Sequence, residues 1–342
     1  MAADEAICMS RAVLVTDYAW PSLEIERAIL AELDAELLVA ETGEPAELIE
    51  LAQAADAILT NWKRLPAAAL DAAPKCLVVS RYGVGLDNIP VDHATDLGIL
   101  VTNVPDFCLE EVSDHTMALL LACARRVVSF AALTRAGGWG LDLGRGMPRL
   151  RGQTLGLVGF GNIARTLVPK AQGFGLKILA YTPRLATASA PAGVEVAGDL
   201  DELLARSDYV SIHAPATPVT TGLIGEAELR LMKPTAYLIN TSRGALVDED
   251  ALARAVLEGW IAGAALDVTR QEPAAIDHPL RGIEGIILTP HASFYSETAI
   301  SELATKAARN VAEVLAGRIP QTTVNPEVLA RPNLRLSTDR TA

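Results

Sequence analysis

Three residues that can bind a carboxylate or transfer a proton each follow an apolar run in the second half of the chain. Arg243 follows Ala-Tyr-Leu-Ile-Asn-Thr-Ser, Glu272 follows Ala-Leu-Asp-Val-Thr-Arg-Gln, and His291 follows Ile-Ile-Leu-Thr-Pro. In an open parallel sheet, ligands bind beyond the carboxyl ends of the strands, so these three groups would converge on one crevice. Each has a simpler interpretation alone: a surface ion pair for Arg243, a solvated loop charge for Glu272, and a capping or core residue for His291. Their shared placement favours a site.

A glycine-rich turn between two further apolar runs indicates dinucleotide binding. Residues 154–158 lead into a turn with Gly159 and Gly161, a helical segment starts at Asn162, and a second apolar run covers 176–180. In a βαβ unit of this kind, the glycines allow the sharp turn and the approach of a pyrophosphate, which the helix N-terminus then faces. The alternative is a glycine-rich turn in an ordinary α/β domain. The predicted phosphate-binding residues are Gly159, Gly161, Asn162 and Ile163.

Both halves of the chain alternate short apolar runs with helical segments, which is typical of buried parallel sheets. We predict early strands at 12–16, 35–40, 57–60 and 76–80, with helices at 22–33, 45–54 and 66–72. We predict later strands at 209–213, 236–240, 262–268 and 286–289. An apolar helix at 109–128 precedes a glycine-rich loop that contains Trp139. A last helix at 296–316 is too long for a tail and is expected to return to the first part of the chain.

Length and charge restrict the class of protein. The 342 residues fit two domains, and 50% of them are hydrophobic. The net charge of −13 argues against nucleic acid or an anionic membrane as the main partner. The apolar stretches are too short to span a bilayer, and the first residues are acidic, so we predict a cytoplasmic protein. The cysteines lack C-x-x-C spacing, which favours free thiols over disulfides and predicts no metal site; they are Cys8, Cys76, Cys108 and Cys123.

Several motifs occur in a specific order along most of the chain. They are Arg-Tyr-Gly-Val-Gly-Leu-Asp-Asn at 81–88, the dinucleotide turn, Asn-Thr-Ser-Arg-Gly at 240–244, Leu-Asp-Val followed by Glu272-Pro273, and Thr-Pro-His at 289–291. From about residue 80 to residue 316, the chain resembles the D-isomer-specific 2-hydroxyacid dehydrogenases. The segment that begins at Thr289 is most similar to the branch that contains the C-terminal-binding-protein corepressors.

This resemblance implies two doubly wound parallel-sheet α/β domains, with a Rossmann cofactor domain inserted into a flavodoxin-like substrate domain. The implied substrate domain is discontinuous, residues 1–103 plus 292–325, and the cofactor domain covers 104–291. Residues 326–342 are rich in proline and polar residues, so we expect a flexible tail. The resemblance also implies a homodimer held through the helix and arm around 109–150. Alternatively, the apolar helix is buried within its own subunit.

The resemblance further implies hydride transfer between a nicotinamide cofactor and a 2-keto or D-2-hydroxy acid. Reduction of a ketone places negative charge on oxygen, which requires a proton donor and a fixed positive charge within reach. By residue matching, His291 would donate the proton, and Glu272 would orient the imidazole and favour its protonated form. Arg243 would bind the carboxylate and polarise the ketone. Backbone amides around Val84 and Gly85 would bind the other side of the carboxylate.

The same matching implies further ligand contacts. Tyr82 and Phe294 would lie beside the substrate side chain, although both could equally be packing residues. Asp267 would hold the nicotinamide amide. The other cofactor-lining positions implied by the match are His213, Pro215, Thr241 and His291.

Two features depart from the family pattern. Pro169 lies inside the helix after the glycine turn, where it removes a backbone hydrogen bond and should kink the helix. The acid that usually ends the second strand and binds the ribose hydroxyls of NAD is replaced by Thr182, which is followed by Pro183 and Arg184. Thr182 does not repel a 2′-phosphate, and Arg184 could pair with one unless it points into solvent. We expect NADP or NAD, with a slight preference for NADP.

A nucleotide-sensing binding or regulatory protein with little turnover is the alternative function, because the corepressor branch keeps the same three catalytic residue types. The motifs do not identify the substrate. Glyoxylate, hydroxypyruvate, bulkier keto acids and phosphite all have relatives with this catalytic set. The expected partner is a small-molecule acid.

Overall fold

The computed structural model describes residues 11–183 and 190–337, and Arg184 of the predicted cofactor site lies outside these ranges. The strands are β1 (Arg11–Val15), β2 (Ala35–Val39), β3 (Ala57–Thr60), β4 (Val78–Arg81), β5 (Leu100–Thr102), β6 (Thr154–Val158), β7 (Lys177–Tyr181), β8 (Val194–Val196), β9 (Tyr209–Ile212), β10 (Tyr237–Asn240), β11 (Gly263–Leu266) and β12 (Ile286–Leu288). The helices are α1 (Glu24–Ala31), α2 (Pro45–Ala52), α3 (Ala67–Asp71), α4 (Val91–Asp96), α5 (Leu109–Ala124), α6 (Val127–Arg135), α7 (Asn162–Gly173), α8 (Leu200–Arg206), α9 (Glu226–Leu231), α10 (Glu249–Leu257) and α11 (Glu297–Leu315).

The chain divides into two compact units, each built on one parallel sheet. The first unit comprises Met1–Phe107 and Ser296–Ala342, and the second comprises Cys108–Tyr295. The first sheet has the strand order β2-β1-β3-β4-β5, and the second has the order β12-β11-β10-β9-β6-β7-β8. The predicted fold class is therefore confirmed. Strands β5 and β8 were not predicted, because three residues are too few to show a period in the sequence.

The first unit packs helices on its sheet with apolar side chains such as Leu14, Ile58 and Val79 in its core. Helix α11 lies against α1, β3 and β4, and the Ser80 hydroxyl donates to the carbonyl of Ala307 at 3.2 Å. The helix begins where Ser296 Oγ accepts the amide hydrogen of Ala299 at 2.9 Å, a standard N-cap.

Residues 326–337, where we expected a flexible tail, make specific contacts with the first unit. They begin with a 3-10 helix, Pro326–Ala330, whose Val328 is fully buried. Arg335 donates to the carbonyl of Leu97 at 2.9 Å and to that of Cys76 at 3.2 Å. A polar composition did not reveal these contacts, because they depend on backbone carbonyls of the first unit that are distant in sequence. Residues 338–342 lie outside the described ranges.

In the second unit, the strand order reverses at β6. Strand β7 lies on one side of β6 and β9 on the other, with all pairings parallel. Helices leave the sheet on opposite faces at such a switch point, so a crevice opens beyond the carboxyl ends of the strands. The glycine turn that follows β6 lies at this position. The topology thus provides the kind of crevice that the sequence analysis required.

The predicted helix at 109–128 is two helices rather than one. Arg126 has a left-handed backbone with φ of 49°, and α5 and α6 meet at a bend of 63°. The Arg126 guanidinium donates to the carbonyl of Leu143 at 2.5 Å, which holds the break in place. In the described residues, no single helix is long and apolar enough to cross a membrane, and the bent pair passes that test only together. Pro169 lies within α7, but the helix continues to Gly173.

The cysteines that the structure describes are free and buried, namely Cys76, Cys108 and Cys123. Burial raises the pKa of the Cys76 and Cys123 thiols to about 12, so both are protonated at neutral pH. Within the described ranges, no group of three or more histidine, cysteine or acidic side chains could hold a metal ion.

Candidate active site

Three adjacent strands of the second sheet lead to the predicted catalytic residues. Strands β10, β11 and β12 are parallel neighbours, with Asn240 opposite Leu266 and Leu266 opposite Leu288. Their carboxyl ends therefore share one edge, and the loops that follow them carry Arg243, Glu272 and His291.

The imidazole of His291 and the carboxylate of Glu272 form a short hydrogen bond. The distance from His291 Nδ1 to Glu272 Oε2 is 2.6 Å, and Glu272 Oε1 accepts the amide hydrogen of Thr269 at 3.1 Å. Since Glu272 uses Nδ1, the other ring nitrogen, Nε2, is left for a ligand. The Phe294 ring lies edge-on to this imidazole at 6.1 Å between centroids. A carboxylate that fixes a ring in this way selects the tautomer and orientation that proton transfer needs.

The backbone of His291 is itself held in an uncommon conformation. Its φ is 53°, in the left-handed region that non-glycine residues rarely occupy. The His291 amide donates to the carbonyl of Asp267 at 2.7 Å and to that of Thr289 at 3.1 Å. These bonds to two segments of the second unit hold the ring-bearing residue against its local preference.

Arg243 projects from a turn that closes on Asn240. The side-chain amide group of Asn240 donates through Nδ2 to the backbone carbonyl of Arg243 at 2.8 Å. Its Oδ1 accepts the backbone amide hydrogen of Ser242 at 2.9 Å. Gly244 follows directly, and a Cβ there would lie 2.0 Å from the carbonyl carbon of Thr269. Only glycine lets the two loops approach so closely, and this approach brings the turn of Arg243 against the loop of Glu272.

The glycine turn fits a dinucleotide on two observations. Gly159 has φ of 93°, and a Cβ there would lie 2.6 Å from the carbonyl oxygen of His213, so the fold itself requires glycine. A Cβ on Gly161 would meet no described atom within 4 Å, and its φ of −83° suits any residue. The space beside Gly161 is therefore open to a group that approaches the backbone from outside, as a pyrophosphate would. The exposed Asn162 and half-buried Ile163 begin α7, whose fully described first turn carries no acidic residue, so its amides suit a phosphate.

The predicted cofactor-lining residues occupy the ends of strands β7, β9 and β10. Burial lowers the pKa of His213 to about 4, although part of the residue still reaches solvent, and its Nε2 lies 2.9 Å from the Ser211 hydroxyl. Thr182 is half-buried after β7, Pro215 is exposed, and Thr241 is buried. The residues after β7, Thr182 and Pro183, include no acid.

The predicted substrate loop lies in the first unit. Val84 is exposed, and its carbonyl accepts a hydrogen bond from the Asn103 side chain at 2.8 Å; the neighbouring Gly85 is half-buried. Tyr82, however, is only 1% exposed, and its hydroxyl donates to Glu26 at 3.0 Å. Burial raises the pKa of that Glu26 carboxyl. In this structure Tyr82 is therefore a packing residue, because its ring is buried in the core and its hydroxyl is hydrogen-bonded to Glu26.

Comparison with known proteins identifies the family. The model of the "D-isomer specific 2-hydroxyacid dehydrogenase, NAD binding domain" matches residues 117–293. A glyoxylate reductase from Thermococcus litoralis is 42% identical over 293 residues, which cover 82% of this chain and 87% of that protein. The chain belongs to the D-isomer-specific 2-hydroxyacid dehydrogenases.

Two solved structures extend this comparison. This dehydrogenase is similar to a protein from Thermus thermophilus, with a TM-score of 0.82, 36% identity, and coverage of 92% of this chain and 99% of that one. It also resembles an NADPH-dependent glyoxylate/hydroxypyruvate reductase from Sinorhizobium meliloti in complex with NADP and malonate, with a TM-score of 0.82, 27% identity, and coverage of 97% and 99%. The enzyme is an NAD- or NADP-dependent oxidoreductase that transfers a hydride between its cofactor and a 2-keto or 2-hydroxy acid. The corepressor-like branch stays a prediction.

Both carboxylate oxygens of Asp267, the residue predicted to hold the nicotinamide amide, accept hydrogen bonds from the protein. Its side chain is fully buried, and Oδ1 accepts hydrogen bonds from the Thr289 hydroxyl at 2.5 Å and the Ala292 amide at 2.9 Å. Oδ2 accepts the Ser293 amide hydrogen at 2.8 Å. The carboxylate thus holds the loop around His291 and exposes no surface to a nicotinamide in this structure.

Two site-supporting residues on α5 were missed by the sequence analysis. His115 Nε2 lies 3.1 Å from the Thr289 hydroxyl, and the Thr116 hydroxyl lies 3.0 Å from that of Thr241. Helix α5 therefore supports the ends of β12 and β10 through consecutive residues. The one available indication was a pair of polar residues within an apolar helix, which has no specificity by itself.

Proposed function

We propose that this dehydrogenase reduces small 2-keto acids, glyoxylate among them, with His291 as the proton donor and Arg243 as the carboxylate-binding group. The observation that carries the proposal is the 2.6 Å bond between His291 and Glu272, beside the turn that bears Arg243. The glyoxylate reductase from Thermococcus litoralis and the glyoxylate/hydroxypyruvate reductase from Sinorhizobium meliloti support the substrate class.

Each side chain has a separate task in the proposed reaction. The bound nicotinamide cofactor supplies the hydride that reaches the carbonyl carbon. As negative charge grows on the carbonyl oxygen, His291 Nε2 delivers a proton to it, while Glu272 keeps the hydrogen on Nδ1 and stabilises the charged ring. The Arg243 guanidinium binds the substrate carboxylate, and its positive charge also favours the developing oxyanion. In the oxidation direction, the same imidazole would accept the proton.

We assign the second unit to the cofactor and the first unit to the substrate. Cofactor binding in the second unit is supported by the glycine turn at the end of β6 and by the open space over Gly161. For the first unit, we propose that backbone amides around Val84 and Gly85 bind the substrate carboxylate. The exposure of Val84, at 40%, supports this assignment. Phe294, whose ring borders His291, is proposed to contact the substrate side chain.

The test is the loss of nicotinamide absorbance with a panel of 2-keto acids that differ only in side-chain size. We expect turnover with glyoxylate and hydroxypyruvate. His291→Ala should abolish it while leaving cofactor affinity within about three-fold, because the imidazole acts on the ketone rather than on the nucleotide. Cofactor binding without turnover of any acid in the wild type would favour the regulatory alternative. Turnover retained by His291→Ala would remove the imidazole from the mechanism.

We further propose that NADPH is accepted at least as well as NADH. Support comes from the sequence Tyr181-Thr182-Pro183 at the end of β7, which lacks the acid that repels a 2′-phosphate. Arg184 follows, and pairing with the phosphate would contribute about 1.5–3 kcal/mol, or roughly ten- to a hundred-fold in affinity. Comparison of kcat/KM for both cofactors in the wild type, Arg184→Ala and Thr182→Asp tests this. A wild type that prefers NADH ten-fold, with Arg184→Ala unchanged towards NADPH, would contradict it.

We also propose a homodimer, held through α6 and the Trp139 loop, which belong to the 109–150 region that the sequence suggested. Helix α5 buries eight residues within its own unit, so its apolar character needs no partner. Helix α6, which the structure describes throughout, buries none, and the large side chains exposed in this region are Val127 at 55%, Val128 at 49%, Trp139 at 92% and Leu141 at 84%. A cavity of about 250 Å³ lies beside α6, lined by Cys123, Arg126 and Tyr237 among others. A contiguous exposed apolar patch of this kind is typical of a protein–protein interaction surface.

Light scattering at micromolar concentration tests the dimer. Val128→Asp should give monomers, because it places a charge in the apolar patch. Val219→Asp is the matched control, since Val219 is an exposed valine of the same unit, at 89%, and lies outside α6. A wild type that is monomeric and fully active would show that the patch is not an interface.

A further inference from the structure

His115 contacts the segment that carries the predicted proton donor. It lies on α5, with its side chain 25% exposed, and its Nε2 is 3.1 Å from Thr289 Oγ1 and 3.6 Å from Asp267 Oδ1. Thr289 precedes His291 by two residues, and 174 positions separate it from His115. No part of the reaction proposed above uses His115.

The direction of the hydrogen bonds follows from the Asp267 carboxylate. A carboxylate can only accept, so the Thr289 hydroxyl must give its single hydrogen to Asp267 Oδ1, 2.5 Å away. Thr289 Oγ1 then has only lone pairs to offer to His115, and His115 Nε2 must be the donor. Both the neutral ring with hydrogen on Nε2 and the charged ring can make this bond. The contact therefore requires an N–H donor at His115 Nε2, whether the imidazole ring is neutral or charged.

The hydrogen bonds from His115 through Thr289 to Asp267, which we call the relay, end on the backbone around His291. Asp267, oriented by the Thr289 hydroxyl, accepts the amide hydrogens of Ala292 and Ser293, and its own carbonyl accepts that of His291. These bonds lie immediately around the residue with φ of 53°. A left-handed non-glycine residue persists only where its surroundings hold it, so loss of an outer bond should loosen the ring that meets the substrate.

We infer that His115 is a positioning residue, which holds the His291 loop in its reactive geometry through Thr289 and Asp267. The inference rests on the proposed role of His291. Its effect falls on kcat, because the relay ends at the residue that acts on the ketone and does not include the glycine turn. Supporting residues of this type commonly contribute about ten-fold or more to a site that they orient.

The experiment compares kcat, the KM for glyoxylate and the NADPH dissociation constant in four single variants of His115 and Thr289, one double variant and one control, all made in the whole chain. His115→Leu removes the donor, and His115→Gln restores an N–H at a similar distance from the backbone. Thr289→Val removes the relaying hydroxyl, and Thr289→Ser keeps it. His93→Leu is the matched control, because His93 makes a comparable 2.8 Å contact with Asp71 within the first unit and takes no part in these bonds.

We expect His115→Leu and Thr289→Val each to lower kcat about ten-fold with NADPH affinity within two-fold of the wild type. His115→Gln and Thr289→Ser should recover most of the loss, and the double variant His115→Leu/Thr289→Val should be no worse than either single one, because both break one relay. Melting temperatures show whether each variant is folded. If His115→Leu does not fold, the contrast between Thr289→Val and Thr289→Ser decides in the same way.

The inference is wrong if kcat of His115→Leu stays within two-fold of the wild type, if the Leu and Gln variants lose activity equally, or if the losses multiply in the double variant. A parallel loss of NADPH affinity would also contradict it, since it would place His115 at the cofactor. The proposed function fails separately, if His291→Ala keeps its turnover.

Discussion

Replacing Glu272 tests the contact on which the proposed chemistry depends most directly. Glu272 makes two hydrogen bonds, one of 2.6 Å to the His291 ring and one of 3.1 Å from the Thr269 amide. Glu272→Gln keeps the shape and an accepting oxygen but removes the charge. Glu272→Ala removes both bonds. The two variants therefore separate orientation of the ring from stabilisation of its charge.

The magnitudes follow from the strength of each bond. A hydrogen bond to a charged group contributes about 1.5–3 kcal/mol and a neutral one about 0.5–1.5 kcal/mol. The Glu272 and His291 side chains are 37% and 26% exposed, so solvent screening places the pair at the lower end. We expect Glu272→Gln to raise the activation free energy by about 1 kcal/mol, which lowers kcat/KM roughly five-fold. Glu272→Ala should raise it by about 2 kcal/mol, which lowers kcat/KM roughly thirty-fold.

The assay is the initial rate of NADPH oxidation with glyoxylate at saturating cofactor, with cofactor affinity measured separately. Glu258→Gln is the control, since it removes a carboxylate that binds the Trp260 indole on the surface of the same unit, at 3.0 Å. The reasoning is wrong if Glu272→Ala stays within two-fold of the wild type. It is also wrong if Glu272→Gln lowers kcat/KM as much as Glu272→Ala does. Equal losses would mean that the hydrogen bond kept by Gln contributes nothing beyond the charge.

Three further results are expected. Arg243→Ala should raise the KM of the keto acid and lower kcat together, since the guanidinium contacts both the bound carboxylate and the developing oxyanion; unchanged kinetics would exclude it from the site. Gly161→Ala should keep the wild-type melting temperature but weaken NADPH binding at least about ten-fold, whereas Gly159→Ala should lower the melting temperature, because only at 159 would a Cβ meet the protein, 2.6 Å from a carbonyl oxygen. The free energy of unfolding should be constant above about pH 6.5 and decrease towards pH 4 by up to about 3 kcal/mol through His213, whose pKa of about 4 lies below that of the unfolded chain, so the unfolded state binds the proton first. The measurement is the free energy of unfolding from urea denaturation at a series of pH values. His213→Asn should reduce its decrease between about pH 6.5 and pH 4, and an unchanged decrease would count against a buried neutral His213 ring.

The parts of the fold that sequence could predict are those with a local cause. The run from Thr154 to Tyr181 gives strand, turn, helix and strand in order, because a buried parallel strand is continuously apolar and the turn needs glycine. The break at Arg126 had no such cause. Both sides of it are apolar and helical in composition, and the left-handed residue is held by a carbonyl seventeen positions later in the chain.

The sequence by itself determined which residue types stand at the ends of the strands, and thereby that Arg243, Glu272 and His291 share one edge of a sheet. Parallel strands align their carboxyl ends whatever the surrounding packing, so this placement follows from order along the chain. Only the tertiary structure decided which side chains remain available to ligands. It buried Tyr82 against Glu26, engaged Asp267 with the loop around His291, and brought His115 to Thr289. Burial and hydrogen-bond partners depend on segments distant in sequence, and no local pattern specifies them.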